Sequence, residues 1–262
     1  MSVQEKMTAI ADAIREKTEG TEPLTLDDMA ASVQEVYDKG QGAGYDEGSK
    51  SEYDAFWDGF QDYGNRTSYV GGFYGDGWTA QTFRPKYDIK PTEANSMFQH
   101  TYGLVNVDMV EHLKGLGVIL DFSNATSLNY TFSLSRAKRW GVIDTRKCTS
   151  LFYTFDQGYN YLQTIDKIIL KDDGSQTFDN AFRYVYQLKE VRFEGVVGQN
   201  GLNLSGTKVL SKDSFKSLVN ALSATETGKT VTLSNVAKQS AFTAEEWAVL
   251  IATKPNWTFS LI

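Results

Sequence analysis

TSLNYTF at 126–132 returns 23 positions later as TSLFYTF at 149–155, with one residue changed. Weaker copies read TEANSMF at 92–98 and QTFDNAF at 176–182. Each copy ends in Phe, at 98, 132, 155 and 182, with Ala94, Leu128, Leu151 or Phe178 four positions earlier. A second pattern, F-x5-L-x2-V, comes after it: Phe98 leads to Leu104 and Val107, and Phe182 to Leu188 and Val191. Phe155 reaches Leu162 and Ile165 with one residue extra, and Phe132 fits less well, with Ala137 and Trp140 standing in. The copies begin 34, 23 and 27 residues apart, and the apolar runs GVILDF, WGVID, DKIILK and EVRFEG fall between them as short strands. Units of this length cannot bury their apolar faces alone, so the pattern predicts stacked units over 92–209 forming an irregular solenoid closed by caps.

Beyond Leu210 the sequence changes character. Ser211 is placed to cap a helix through about Leu222, with Phe215, Leu218, Val219 and Leu222 on its inner face. TVTLS at 230–234 alternates like a half-buried strand, Thr243 and Glu246 form a capping box for a helix through Ile251, and a last strand starts at Trp257. Residues 210–262 therefore read as an α/β cap. Residues 67–91, with YVGGFYGDGW, Pro85 and Pro91, read as an irregular connector or the first cap.

Residues 1–66 read as a helical anchoring and oligomerisation segment. Val3, Met7, Ile10, Ala11 and Ile14 share one face of a first helix, and Thr25 caps a second that continues through Met29, Val33 and Val36. The second runs into an octad in which Tyr-Asp recurs at 37, 45 and 53. Gly40, Gly44 and Gly48 step by four, leaving a groove without side chains into which another helix fits. Each helical glycine costs about 1 kcal/mol relative to alanine, so the stretch is either a linker or a helix held by a partner. The regular tyrosines favour assembly through Tyr37, Gly40, Gly44, Tyr45, Gly48 and Tyr53. Tyr53, Phe56, Trp57 and Phe60 fall at helical spacing, complete the anchoring set and mark the place where the helix is expected to seat on the next domain.

A chain of 262 residues can bury a sizeable core. Its net charge of -7, with Lys and Arg dispersed, speaks against nucleic acid as the partner, since phosphate binding needs clustered cations. No window approaches the ~20 apolar residues of a membrane span, and the start MSVQEKMTAIADAI has no uninterrupted apolar run of the secretory type. The single cysteine, Cys148, suits a reducing cytoplasm. No cofactor or metal is expected: His100 and His112 lack zinc spacing, and YGDGWT and KDDGS lack the alternating acids of a calcium loop. Neither a G-x-S-x-G elbow nor a phosphate loop occurs, and the chain is expected not to be an enzyme.

Three blocks carry a resemblance: IADAIREKTEGTEPLTLDDMAASV at 10–33, SEYDAFWDGFQDYGNRT at 51–67, and the closing stretch from LSKDSFKSLVNALS to KPNWTFSLI. In this order, with the repeats, they resemble tail or virion-appendage proteins of phages and prophages of Gram-positive bacteria. The repeat units look like BspA-like leucine-rich repeats. The resemblance implies an α+β chain: an N-terminal helical segment, then an irregular leucine-rich-repeat solenoid with an α/β C-terminal cap. It implies a non-enzymatic virion structural protein of tail, baseplate or fibre, assembled in the host cytoplasm. The expected partners are the chain itself as a homo-oligomer such as a trimer, other tail or baseplate proteins, and a bacterial surface glycan or protein, with no membrane insertion. Tyr153, Tyr159, Tyr161, Tyr184 and Tyr186 lie beside the inward Phe positions and are the candidate receptor contacts; Tyr159 and Tyr161 would share a face if their segment is extended. Two rival roles are an adaptor that touches only other phage proteins and a polysaccharide-cleaving tailspike with two carboxylates about 5 to 10 Å apart.

Overall fold

The computed structural model describes residues 47–262, with side chains from residue 54 onward. Tyr37, Gly40, Gly44 and Tyr45 lie outside the described residues, and of Gly48 and Tyr53 only the helical backbone is described. Helix α1 is Glu47–Phe60, and Trp57–Ile262 forms one compact unit.

Within that unit the repeated heptapeptides lie one above another. Their terminal phenylalanines make a stacked column: Phe98 on Phe132 at 6.0 Å, Phe132 on Phe155 at 5.2 Å, and Phe155 on Phe182 at 5.1 Å between ring centroids. These separations approach the ~4.8 Å between hydrogen-bonded strands, so the backbone spacing sets the ring spacing. All four rings are buried, and Trp140 fills the space beside Phe98 and Phe132 at 4.8 and 4.5 Å.

A fifth copy precedes these. TSYVGGF at 67–73 occupies the same position in the stack, and Phe73 stacks on Phe98 at 5.1 Å. The stretch 67–91 is therefore not merely a connector. The motif is hidden because glycine replaces the bulkier residue at a special backbone position. Two residues before each Phe the chain is left-handed, at Gly71, Ser96, Tyr130, Tyr153 and Asn180, and two residues after it again at Gly75, His100, Leu134, Gln157 and Tyr184. Glycine adopts this conformation without strain, whereas a side chain costs about 1–2 kcal/mol there.

The turns are joined by parallel hydrogen bonds. Gly71, Phe73 and Gly75 donate their N–H groups to the carbonyls of Asn95, Met97 and Gln99. Ser96, Phe98 and His100 donate to Asn129, Thr131 and Ser133; Tyr130, Phe132 and Leu134 donate to Phe152, Thr154 and Asp156. Tyr153, Phe155 and Gln157 then donate to Asp179, Ala181 and Arg183. Each rung uses the Phe and the left-handed residues flanking it.

Strands β1 (Arg139–Asp144), β2 (Thr164–Ile169) and β3 (Glu190–Glu194) coincide with the runs WGVID, DKIILK and EVRFEG and form a parallel sheet in the order β1-β2-β3. Arg139 pairs with Thr164, and Thr164 with Glu190. A second parallel sheet joins β4 (Asn203–Leu204), β5 (Lys229–Leu233) and β6 (Trp257–Leu261).

The expected α+β architecture, a leucine-rich-repeat solenoid over 92–209 followed by a cap, is corrected by this arrangement. The described chain is a small α/β fold with two separate three-stranded parallel sheets and five α-helices. The unit at 92–98 leads to no strand: Asp108 makes only an isolated bridge to Arg139, and its carboxylate caps helix α2 (Met109–Leu116) by accepting from Val110 and Glu111. Asp108 is extended and can pair at that one position, but the helix that starts at Met109 stops any strand from continuing beyond it. GVILDF likewise contributes only the bridge of Leu120 to Ile89, because left-handed Gly117 ends α2 inside that run. β4 lies before residue 210 yet pairs with β5 beyond it.

Three further helices follow in the chain: α3 (Lys212–Ala221), whose Ser214 and Ser217 hydroxyls accept from the N–H groups of Val191 and Phe193 in β3, then α4 (Asn235–Ala241) and α5 (Ala244–Ile251). Ser211, Ser234 and Thr243 cap them, and Thr243 and Glu246 form the reciprocal capping box. Phe215 meets Phe242 and Trp247 edge to face, and those two rings are tilted against each other at 5.5 Å.

At the other end, Trp57 and Phe60 pack on Phe73 and Trp78, and Trp57 is 2% exposed. Helical spacing reads Tyr53, Phe56, Trp57 and Phe60 as the place where the helix seats on the next domain, and Trp57 and Phe60 do pack into the aromatic core that follows them. Buried Gln61 fixes the adjoining loop, accepting from the N–H of Lys86 and Tyr87 and donating to the Tyr87 carbonyl. Asp58 accepts from Lys86 at 2.9 Å and from the Tyr87 hydroxyl at 2.6 Å, which holds its carboxyl below the usual carboxylate range. Phe56 is half-exposed.

Candidate functional site: a tyrosine-lined cleft

Left-handed backbone at positions 130, 153 and 184 turns those side chains away from the phenylalanine column. The result is a strip of aromatic rings along one side of the stack. Tyr130 stacks on Tyr153 at 5.1 Å and 12°. The Arg183 guanidinium comes next, 4.7 Å from the Tyr153 ring and 5.0 Å from the Tyr184 ring. Tyr184, Tyr186 and Tyr159 then form a cluster with centroids 6.2 to 6.4 Å apart. Tyr184 is 46% exposed and Tyr159 37%.

Arg183 is fixed as well as flanked. Its Nε and Nη2 donate to the two carboxylate oxygens of Asp156 at 2.8 and 3.0 Å, and the Asp156 side chain is only 3% exposed. The hydrogen bonds from Arg183 to Asp156 lift the arginine's pKa further above its usual range, so it stays charged at any working pH. A planar cation held between two phenol rings sets the tilt of both.

Beside this cluster lies a cleft of about 550 Å³ lined by Asp179, Asn180, Phe182, Arg183, Tyr184, Tyr186 and, on the facing segment around β4, Gly201, Asn203, Ser205 and Gly206. The cleft forms where the ladder stops. Among the described residues, the N–H groups of Asn180, Phe182 and Tyr184 have no acceptor, although the equivalent groups in all four preceding turns are bonded. The next stretch of chain comes close at Gly201 and Gly206. A methyl placed on Gly201 would lie 3.1 Å from the Asp179 carboxylate, and one on Gly206 would lie 3.8 Å from the Val185 nitrogen.

Of the five candidate contacts, Tyr184 and Tyr186 line the cleft and Tyr159 adjoins them. Tyr153 lies further along the strip against Arg183. Tyr161 is elsewhere: its segment is not extended, because Tyr161 donates back to the Gly158 carbonyl and Tyr159 is left-handed. Tyr161 instead shares the Arg136 guanidinium with Tyr102, at 5.2 and 4.7 Å. Sequence reasoning missed Asp156, Arg183 and Asn180. Aligning the repeats offers the signal, since Asp156 and Arg183 each directly follow the repeat Phe, one turn apart, with opposite charge.

Among the described residues no group of three or more His, Cys, Asp or Glu is placed to hold a metal ion. Nor, among them, is any helix long and apolar enough to cross a membrane. Cys148 is buried, donates to the Ala125 carbonyl, and burial pushes its thiol up to about 12, far from a reactive thiolate. Comparison with protein families, curated proteins and solved structures gave no match.

Proposed function

We propose that the chain is a non-enzymatic virion structural protein of a tail, baseplate or fibre that binds a glycan on the host surface through the cleft at 179–186. The single observation that carries the binding role is the cluster of Tyr159, Tyr184 and Tyr186 set beside a cleft lined by Asp179, Asn180, Asn203 and Ser205. Exposed phenol rings offer flat apolar faces for sugar rings, and carboxamides, hydroxyls and backbone N–H groups answer the sugar's polar atoms. The virion setting comes from the resemblance of the N-terminal and C-terminal blocks to phage appendage proteins. Oligomeric assembly through the tyrosine octad belongs to the same proposal.

Binding of the full chain to purified host cell wall, followed together with the release of reducing ends, tests this reading. Retention without release is expected, and Tyr184→Ala should abolish retention while leaving the melting temperature within about 2 °C, since a surface truncation changes stability little. Release of reducing ends would instead favour the tailspike role. Mass spectrometry of purified particles should find the chain; its absence from them removes the virion setting.

A further inference from the structure

The open rung offers a way to choose the ligand's chemistry. This step rests on the reading of the cleft as a glycan site. Four turns show what this backbone edge binds when it is filled: carbonyl oxygens, one on each of three alternate N–H groups. In the fifth turn those donors belong to Asn180, Phe182 and Tyr184, three residues that line the cleft, and they have no acceptor among the described residues. Leaving such donors unpaired is costly once water is displaced, so a ligand that excludes water here must bring acceptors of its own.

Another strand of peptide is the obvious supplier of carbonyls, but the cleft does not admit one. A strand covering 180–184 needs about 3.3 Å per residue and a free path at both ends. Gly201 sits against Asp179 at one end and Gly206 against Tyr184 and Val185 at the other, both already at contact distance for a single added methyl. The segment 201–206 already occupies both ends of that path, which leaves the open side to a compact group rather than to a continuing strand.

Charge then decides between the compact acceptors. A carboxylate would meet Asp179, and the one cation in the lining, Arg183, already spends Nε and Nη2 on Asp156. No lysine lines the cleft among the described residues. A neutral carbonyl avoids this repulsion. The geometry points to an N-acetylated sugar as the ligand: its acetamido carbonyl accepts from the N–H group of Phe182 while the sugar ring lies against Tyr184 and Tyr186. The acetamido group takes the place that a main-chain carbonyl takes in every other turn.

Tri-N-acetylchitotriose and cellotriose differ by an acetamido group in place of a hydroxyl at each ring, and so isolate this contact. Both are titrated into the ¹⁵N-labelled full chain and followed by the amide resonances of the cleft. Chitotriose should shift the amide of Phe182 and bind at least about tenfold more tightly than cellotriose, as expected for a hydrogen bond to a desolvated donor. Gly206→Val, whose added side chain projects over the Tyr184 and Val185 nitrogens, should weaken chitotriose by a similar factor with the remaining spectrum unchanged. Equal binding of the two sugars, or unchanged affinity in Gly206→Val, overturns the acetamido assignment and leaves the glycan role standing. Tighter binding of digalacturonate than of chitotriose overturns it in favour of an anionic sugar. Absence of any cleft shift with all three sugars overturns the assignment and counts against the glycan role together.

Discussion

The turn at 149–157 and the turn at 176–184 share a backbone, a buried Phe and a pair of left-handed residues, yet one is sealed and the other open. In the first, Tyr153, Phe155 and Gln157 hand their N–H groups to the next turn; in the second, Asn180, Phe182 and Tyr184 hand theirs to nothing in the described chain. The difference lies in the segment stacked on each. The first is covered by another heptapeptide, QTFDNAF; the second meets GLNLSGT, whose two glycines come close but whose carbonyls accept from none of the three N–H groups. A structural repeat thus becomes a candidate binding edge simply because no further copy is stacked on it.

The largest effect that separates the two turns lies in the phenylalanine column. Phe155 is stacked on both sides, whereas Phe182 stacks only on Phe155 and meets Phe193 edge-on. Phe155→Ala should lower the unfolding free energy by about 4 kcal/mol and Phe182→Ala by about 3, within the range for buried aromatic truncations. Denaturant titration gives both, and a reversed order would remove the distinction between an inner and an outer turn. Next is Arg183→Ala, which leaves buried Asp156 without its cation. Because Arg183 is 35% exposed, a loss of about 2 kcal/mol is expected, below the value for a fully buried pair. A loss near zero would mean that the tyrosine strip is not held by this pair.

A smaller effect sharpens the picture of the sealed turns. Cys148 has its thiol pushed up to about 12 by burial, whereas the unfolded thiol titrates near 8.5. As pH rises the unfolded chain releases this proton first, so the stability it represents is complete below pH ~8.5 and lost toward pH 12. Thermal melts of Cys148→Ala should therefore decline less steeply than those of the parent between pH 9 and 11. Equal slopes would place the thiol in contact with solvent.

Much of this was legible in the sequence, for identifiable reasons. The four Phe-terminated heptapeptides announce their column because a buried aromatic at a fixed interval has few substitutes. Ser211 and the Thr243–Glu246 box announce their helices because capping needs particular side chains at particular offsets. TSYVGGF escaped because its glycines serve the backbone rather than the core, and a search for apolar spacing does not register them. The split into two parallel sheets escaped for another reason: strand pairing is long-range, and nothing local to Asn203–Leu204 says that β5, well beyond it in the chain, lies beside it. The cleft is legible only as an absence, the missing sixth copy, together with the Asp156–Arg183 alternation in the position after the Phe.

Amide hydrogen exchange of the free full-length chain tests the contrast between the sealed and the open turn. The amides of Tyr153, Phe155 and Gln157 should exchange at least roughly a hundredfold more slowly than those of Asn180, Phe182 and Tyr184, since the first three are bonded inside the stack and the others are not. Equal protection of the two sets would refute the open edge, because it would mean that the rung at 180–184 is already filled in the free protein.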